Sequence, residues 1–257
     1  MNRILAAVLA GGMVLASGSM VLADGYDTAK KPGKDDMVQG APYRAGGFNW
    51  SGIYIGDQVG YSWGNGNVNL ESGFSLTGVN SFSFSPKGFF GGGQVGIQHQ
   101  TGKLVYGVEA ALIGVDAQQR IANPNLPTLV NDRLSVSSLV LLTGRLGYAL
   151  DNKLFYVKGG YADGHTEFRG TCDLCGNIAL NVASRHSGWT LGGGLEYALA
   201  KNWTLGVDYS YVKLNGATDA GIYSVNGLPV TFLGTPTYNS SVNLNMVGVR
   251  LNYLLGH

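Results

Sequence analysis

One pattern constrains this chain more than any other. From Gly52 onward, eight segments alternate with a period of two between large apolar residues and small or polar ones. Successive side chains of a strand point to opposite faces, so each segment reads as a strand with one apolar and one polar face. In Gly52 to Trp63, Ile53, Ile55, Val59, Tyr61 and Trp63 oppose Tyr54, Gly56, Gln58, Gly60 and Ser62. Next, Val95 and Ile97 oppose Gly92, Gln94, Gly96 and Gln98, and Leu104, Tyr106, Val108 and Leu112 oppose Gly107 and Glu109. Val140, Leu142, Leu146 and Tyr148 oppose Thr143, Arg145 and Gly147, and Phe155, Val157 and Tyr161 oppose Lys158 and Gly160. The last three segments are the most regular. Trp189, Leu191, Leu195, Tyr197 and Leu199 face away from Thr190, Gly192, Gly194 and Glu196. Trp203, Leu205, Val207, Tyr209 and Tyr211 face away from Gly206, Asp208 and Ser210, and Val247, Val249, Leu251, Tyr253 and Leu255 from Gly248, Arg250 and Asn252.

A soluble sandwich also alternates, with its apolar face inward. Two features favour a transmembrane barrel. Tyr and Trp gather at the strand ends, as interfacial girdles do. The connections are also asymmetric. Short turns fall at Gln100–Lys103, Asp151–Lys153 and Ala200–Asn202, and long connections at about Gly64–Lys87, Val115–Leu134, Gly164–Arg185 and Asn215–Ser240. Short turns at the periplasmic end and long loops outside describe an outer-membrane barrel. The expected fold is therefore all-β: an eight-stranded antiparallel transmembrane β-barrel with short periplasmic turns and long extracellular loops. Closure is required, because an open edge leaves backbone groups unpaired in lipid.

Composition agrees. Charged residues make up 13%, against roughly 25% in soluble domains. Gly accounts for 41 of 257 residues, more than twice its usual share of roughly 7%. The net charge of +1 gives no sign of a nucleic-acid partner. After Ala23 no apolar run approaches the ~20 residues of a spanning helix. Residues 1–23 have the three parts of a secretory signal: Asn2 and Arg3, then an apolar stretch, then Val21-Leu22-Ala23, with cleavage placed after Ala23. Residues 24–48, with Lys30-Lys31-Pro32-Gly33-Lys34-Asp35-Asp36, read as a flexible periplasmic linker, and residues 49–257 as the barrel.

The inner faces carry three acids, Glu109, Glu196 and Asp208, and three bases, Arg145, Lys158 and Arg250. An eight-stranded interior is about filled by side chains, whereas water-filled porins need about 16 strands. Balanced charges in so narrow a space are expected to pair in one network, since an isolated buried charge is costly. That reading gives a closed structural barrel. A narrow pore for small solutes is the alternative.

Several motifs carry a family resemblance. Trp50-Ser51-Gly52-Ile53-Tyr54-Ile55-Gly56, Gly60-Tyr61-Ser62-Trp63-Gly64, Gly91-Gly92-Gly93-Gln94-Val95-Gly96, Gly107-Val108-Glu109, Thr143-Gly144-Arg145-Leu146-Gly147-Tyr148 and Gly188-Trp189-Thr190-Leu191-Gly192 resemble the small OmpA-like, porin-family barrels of alphaproteobacteria. The likeness runs from Trp50 to Tyr253 but leaves out the long loops. It implies an abundant Gram-negative outer-membrane protein, exported by a signal peptide, that supports envelope integrity and meets host or environment through its loops. The partners it implies are outer-membrane lipid and lipopolysaccharide, the barrel-assembly machinery and host surface molecules. No enzyme activity and no cofactor is implied. The chain departs from the family at Asp57, a carboxylate on the lipid-facing side. It departs again at the end, where Leu254-Leu255-Gly256-His257 follows the aromatic residue usual in the terminal signal.

The Cys172-Asp173-Leu174-Cys175 pair falls in the third long loop, where an oxidising location favours a disulfide. His165 and His186 flank it, so a Cys and His metal set is an alternative, and no metal site is assigned. A lipid-modifying barrel enzyme would need Ser, His and an acid together. Arg185-His186-Ser187 is the only His–Ser neighbour pair, and it has no assignable acid partner. The long loops hold Phe74, Phe82, Phe84, Tyr223, Phe232 and Tyr238. Aromatics there suit surface contact or, as the alternative, packing of the loops or contact with the outer leaflet.

Overall fold

The computed structural model describes residues 47–73, 80–122, 130–172, 178–230 and 234–255. The signal segment and Cys175 lie outside them, as do Phe74, Phe232 and the side chains of Cys172 and Phe82. Eleven strands form one antiparallel sheet: β1 (Gly52–Ser72), β2 (Ser81–Phe84), β3 (Lys87–Thr101), β4 (Leu104–Ala122), β5 (Val130–Leu150), β6 (Lys153–Cys172), β7 (Ile178–Ala198), β8 (Trp203–Ala220), β9 (Ile222–Val225), β10 (Leu228–Val230) and β11 (Thr237–Leu255). Eight of them make a ring in the order β1, β3, β4, β5, β6, β7, β8, β11. The ladder from Ile53↔Leu255 to Ser72↔Thr237 seals the ring. Strands β2, β9 and β10 are additions at the end away from the short turns.

The turns explain why that end is tight. Gly102 at φ 62° and Asp151 at φ 52° take the left-handed backbone that a two-residue hairpin turn needs. Over the membrane band the alternation places side chains as the sequence suggests. Val59, Val108, Val157, Leu191 and Val207 are exposed on the outside, while Gln58, Glu109, Lys158 and Asp208 are buried inside. Tyr61 against Phe89, Trp189 near Tyr211 and Trp203 against Tyr253 form ring contacts on the outer face. Asp57 does face outward, opposite Gly93 and Leu251.

The long connections differ from expectation. Much of each is strand: β1 continues to Ser72, β4 to Ala122, β6 to Cys172 and β8 to Ala220. In these extensions the alternation persists with its phase reversed. Val242, Leu244 and Met246 are buried while Asn243 and Asn245 face out, and Ala111, Ile113, Val115 and Ala117 line the inside of β4. The physical reason is the solvent. Beyond the aromatic girdle the outer surface meets water instead of lipid, so apolar side chains turn inward as in a soluble protein.

The ring is not seamless at the top. The β7–β8 ladder ends at Gly188↔Leu214, and β9 takes over the edge of β7 only from Asn181↔Ile222 onward. Between them, β7 has no strand partner on that side.

Candidate functional site

The six inward charges meet in one layer at membrane height. Arg145 Nη2 donates to Glu196 Oε1 at 2.7 Å. Lys158 Nζ donates to Asp208 Oδ1 at 2.8 Å. Arg250 donates to Glu109. Longer pairs join these three: Glu109 with Arg145 at 3.6 Å and Lys158 at 3.9 Å, and Arg250 with Glu196 and Asp208, each at 3.6 Å. All six are buried. In so dry a place, pairing and hydrogen bonding are what make the ionised forms tolerable.

Two residues that the sequence reading left out of the network hold it together, and they do so by the same device used twice. Tyr54 on β1, Gly96 on β3 and Glu109 on β4 stand side by side. A Cβ on Gly96 would lie 2.4 Å from the Tyr54 ring, so only glycine lets the tyrosine cross β3. Its hydroxyl donates to Glu109 at 2.7 Å and accepts from Arg145 at 2.9 Å. On the other side, Tyr156 on β6 crosses Gly194 on β7 to Asp208 on β8. That hydroxyl donates to Asp208 at 2.7 Å and accepts from Arg250 at 3.1 Å. The Arg145 guanidinium also stacks 4.1 Å from the Tyr156 ring centroid. Thr204 and Ser210 hydroxyls donate to Glu196 and Asp208 at 3.3 and 3.0 Å, and Gln94 donates to Asn252 at 2.7 Å. The signal was present in the sequence: Tyr54 is a large aromatic on an otherwise small, polar face.

An apolar layer lies on each side of these charges. Toward the short turns, Trp50, Val105, Ala149, Leu154, Tyr156 and Ala198 pack together. Toward the exterior, a larger cluster includes Phe84, Phe90, Leu139, Leu141, Leu214, Tyr223, Tyr238 and Leu244. Phe84, Tyr223 and Tyr238, flagged as possible surface contacts, are therefore interior. Phe90 seats against Gly60 and Gly248, where a Cβ would come within 2.6 and 2.8 Å of its ring.

The histidines separate. His165 faces outward near Glu167, at 3.7 Å, whereas His186 is fully buried. They lie on opposite faces of the wall. Ser187 also points away from His186, so the sequence neighbours are not a pair in space. His186 Nδ1 lies 3.2 Å from the Asn215 carbonyl, which can only accept, so Nδ1 carries the proton. Nε2 then accepts from Thr166 at 3.0 Å and Ser240 at 3.2 Å. Burial holds this imidazole below its ordinary pKa of 6.5. It closes on the wall where the β7–β8 ladder stops. Among the described residues no group of three His, Cys, Asp or Glu is arranged to hold a metal.

A family model described as the outer membrane protein beta-barrel domain matches residues 37–253. The 31 kDa outer-membrane immunogenic protein of Brucella melitensis is 30% identical over 220 residues, covering 80% of this chain and 84% of that protein. The 25 kDa outer-membrane immunogenic protein of Brucella canis is 28% identical over 166 residues, or 65% of this chain and 66% of that one. The crystal structure of the outer membrane protein OprG from Pseudomonas aeruginosa aligns with 81% of this chain and 98% of its own, at 14% identity and a TM-score of 0.47. A ring of eight strands with an apolar exterior, matched by that model over most of its length, makes this chain a member of the outer-membrane β-barrel protein family, resident in the outer membrane.

Proposed function

We propose that this protein is a closed structural barrel that supports the outer membrane and presents its strand extensions to the exterior, without catalysis. One observation carries the reading: the lumen is crossed by a balanced layer of six paired charges, roofed by a packed apolar cluster. Ions would have to break the pairs and then cross a dry layer. The absence of enzyme activity is part of the proposal. His186, the histidine nearest a serine in sequence, is fully buried and hydrogen-bonds a backbone carbonyl instead of an acid. The Brucella relatives are named as immunogenic proteins, which suits an exterior surface met by host molecules. Insertion through the barrel-assembly machinery belongs to the same proposal.

Single-channel recording in planar bilayers tests it. The expected result is no steady conductance in the wild type. A conducting wild type whose ion selectivity changes in Arg145→Ala, with no loss of stability, would replace the scaffold with a narrow pore. Orientation is tested separately. A tag at the exposed Asn226-Gly227 turn should be reached by antibody on intact cells, and one at Asp151-Asn152 only after permeabilisation.

A further inference from the structure

The outer wall carries a groove that the fold does not need. Gly144 on β5 and Gly159 on β6 are outward-facing and lie opposite each other. Their missing side chains leave a depression of about 430 Å³, walled by Tyr106, Val108, Leu146, Val157 and Leu191. The lumenal glycines described above are required by packing. These two are not: a Cβ on Gly144 would find nothing nearer than the Gly159 carbonyl oxygen at 4.0 Å, and one on Gly159 would make ordinary contacts with Leu191 at 3.4 Å and the Thr190 carbonyl oxygen at 3.5 Å. The space opens onto hydrocarbon, so an apolar chain fills it.

Two cations stand at the foot of this groove. Lys103 precedes β4, three residues before Tyr106, and its carbonyl accepts from Ala149. Lys153 begins β6, opposite Leu150. They flank the end of β5 at nearly one level, about two strand spacings or ~10 Å apart. The Lys103 ammonium lies 5.8 Å from the centroid of the outward-facing Tyr148 ring, and the alternation of β6 puts Lys153 on the same outer face. Asp151 sits in the turn between them, yet neither ammonium forms an ion pair among the described residues.

We propose that this face binds an anionic glycerophospholipid of the periplasmic leaflet, with one acyl chain over Gly144 and Gly159 and the phosphate between Lys103 and Lys153. Two cations facing one phosphodiester select an anionic headgroup over a zwitterionic one. The short-turn end fixes the leaflet, which sets lipopolysaccharide of the opposite leaflet aside. The inference goes beyond the closed-lumen reading and does not depend on it, since the groove lies on the other side of the wall.

The test is native mass spectrometry of the full folded barrel in mild detergent, with dioleoyl phosphatidylglycerol or dioleoyl phosphatidylcholine added at equal concentration. The wild type should retain phosphatidylglycerol about tenfold better. Lys103→Gln with Lys153→Gln should remove that preference, and Gly144→Leu should lower retention of both lipids. Heat-modifiable gel mobility reports whether each variant folds. If Gly144→Leu does not fold, the lysine variant decides alone. Equal retention of the two lipids by the wild type, or an unchanged preference in the lysine variant, overturns the proposal. So does a lipid-free dimer that Gly144→Leu converts to monomer, which would assign the groove to a second copy of this chain.

Discussion

The lower and upper halves of the lumen solve the same problem by opposite means. At membrane height the interior is held by ion pairs and hydrogen bonds around Arg250; beyond the girdle it is held by aliphatic and aromatic packing around Leu244. The difference follows from what lies outside the wall. Where lipid covers the outer face, apolar residues gain less by turning inward, so the interior at the level of Arg250 is left to polar groups that must satisfy one another, with the apolar layer around Leu154 below them. Where water covers it, the hydrophobic effect refills the interior.

Removing one charge should break this contrast most severely. Arg250 reaches all three acids and Tyr156 and is the close partner of Glu109, so Arg250→Ala should cost about 3–5 kcal/mol by taking that partner from a buried carboxylate and leaving the layer one positive charge short. Urea unfolding in detergent measures it. Replacing Lys158 and Asp208 together by Met and Leu should cost far less, because no charge is stranded. If both variants lose equally, the lower half is held by packing and the contrast fails.

In the upper half, Leu244→Ala should cost about 2–4 kcal/mol through the cavity it leaves. The loss should appear as faster proteolysis of the extracellular extensions while the folded band persists on gels. Glycine substitutions are expected to have smaller effects. Gly194→Ala pushes a methyl into the Tyr156 crossing and should cost about 1–3 kcal/mol. Gly144→Ala on the lipid side, where space is open, should stay within about 0.5 kcal/mol.

The smallest expected effect is one of pH. The folded pKa of His186 is lowered by burial, so the unfolded chain binds the proton more readily. Stability is therefore full above about pH 6.5 and falls as pH drops toward the folded pKa. The Asn215 carbonyl, Thr166 and Ser240 touch the ring, and Asp219, Asp163 and His165 act on it from nearby. His186→Gln should flatten the dependence below about pH 6.5 in proteolysis of the extensions. A profile unchanged from the wild type would place its cause elsewhere.

The sequence exposed the lower half better than the upper one. Glu109, Arg145, Lys158, Glu196, Asp208 and Arg250 could be put inside by counting alternate residues, because a strand's faces follow from parity alone. Which acid meets which base could not, since that depends on the shear between strands. The upper half was obscured by a phase change. Val242, Leu244 and Met246 alternate as cleanly as the strands below, but on the other parity, and a reading that follows lipid-facing residues stops at Trp63 or Tyr211. The partners of His186 were hidden for a related reason: adjacency in a strand separates side chains, so they come from β6, β8 and β11 instead of from Ser187.

The seam between β1 and β11 sets the order of events in biogenesis. Ile53 lies opposite Leu255, so the ring's last ladder joins residues nearly the whole barrel apart in the chain. Its loop-closure entropy must be met before any of those hydrogen bonds form. Until β11 arrives, β1 keeps one bare edge, and so does β8. Neither edge can rest in hydrocarbon. A helper that pairs temporarily with a free edge would lower that cost until the β1–β11 ladder closes.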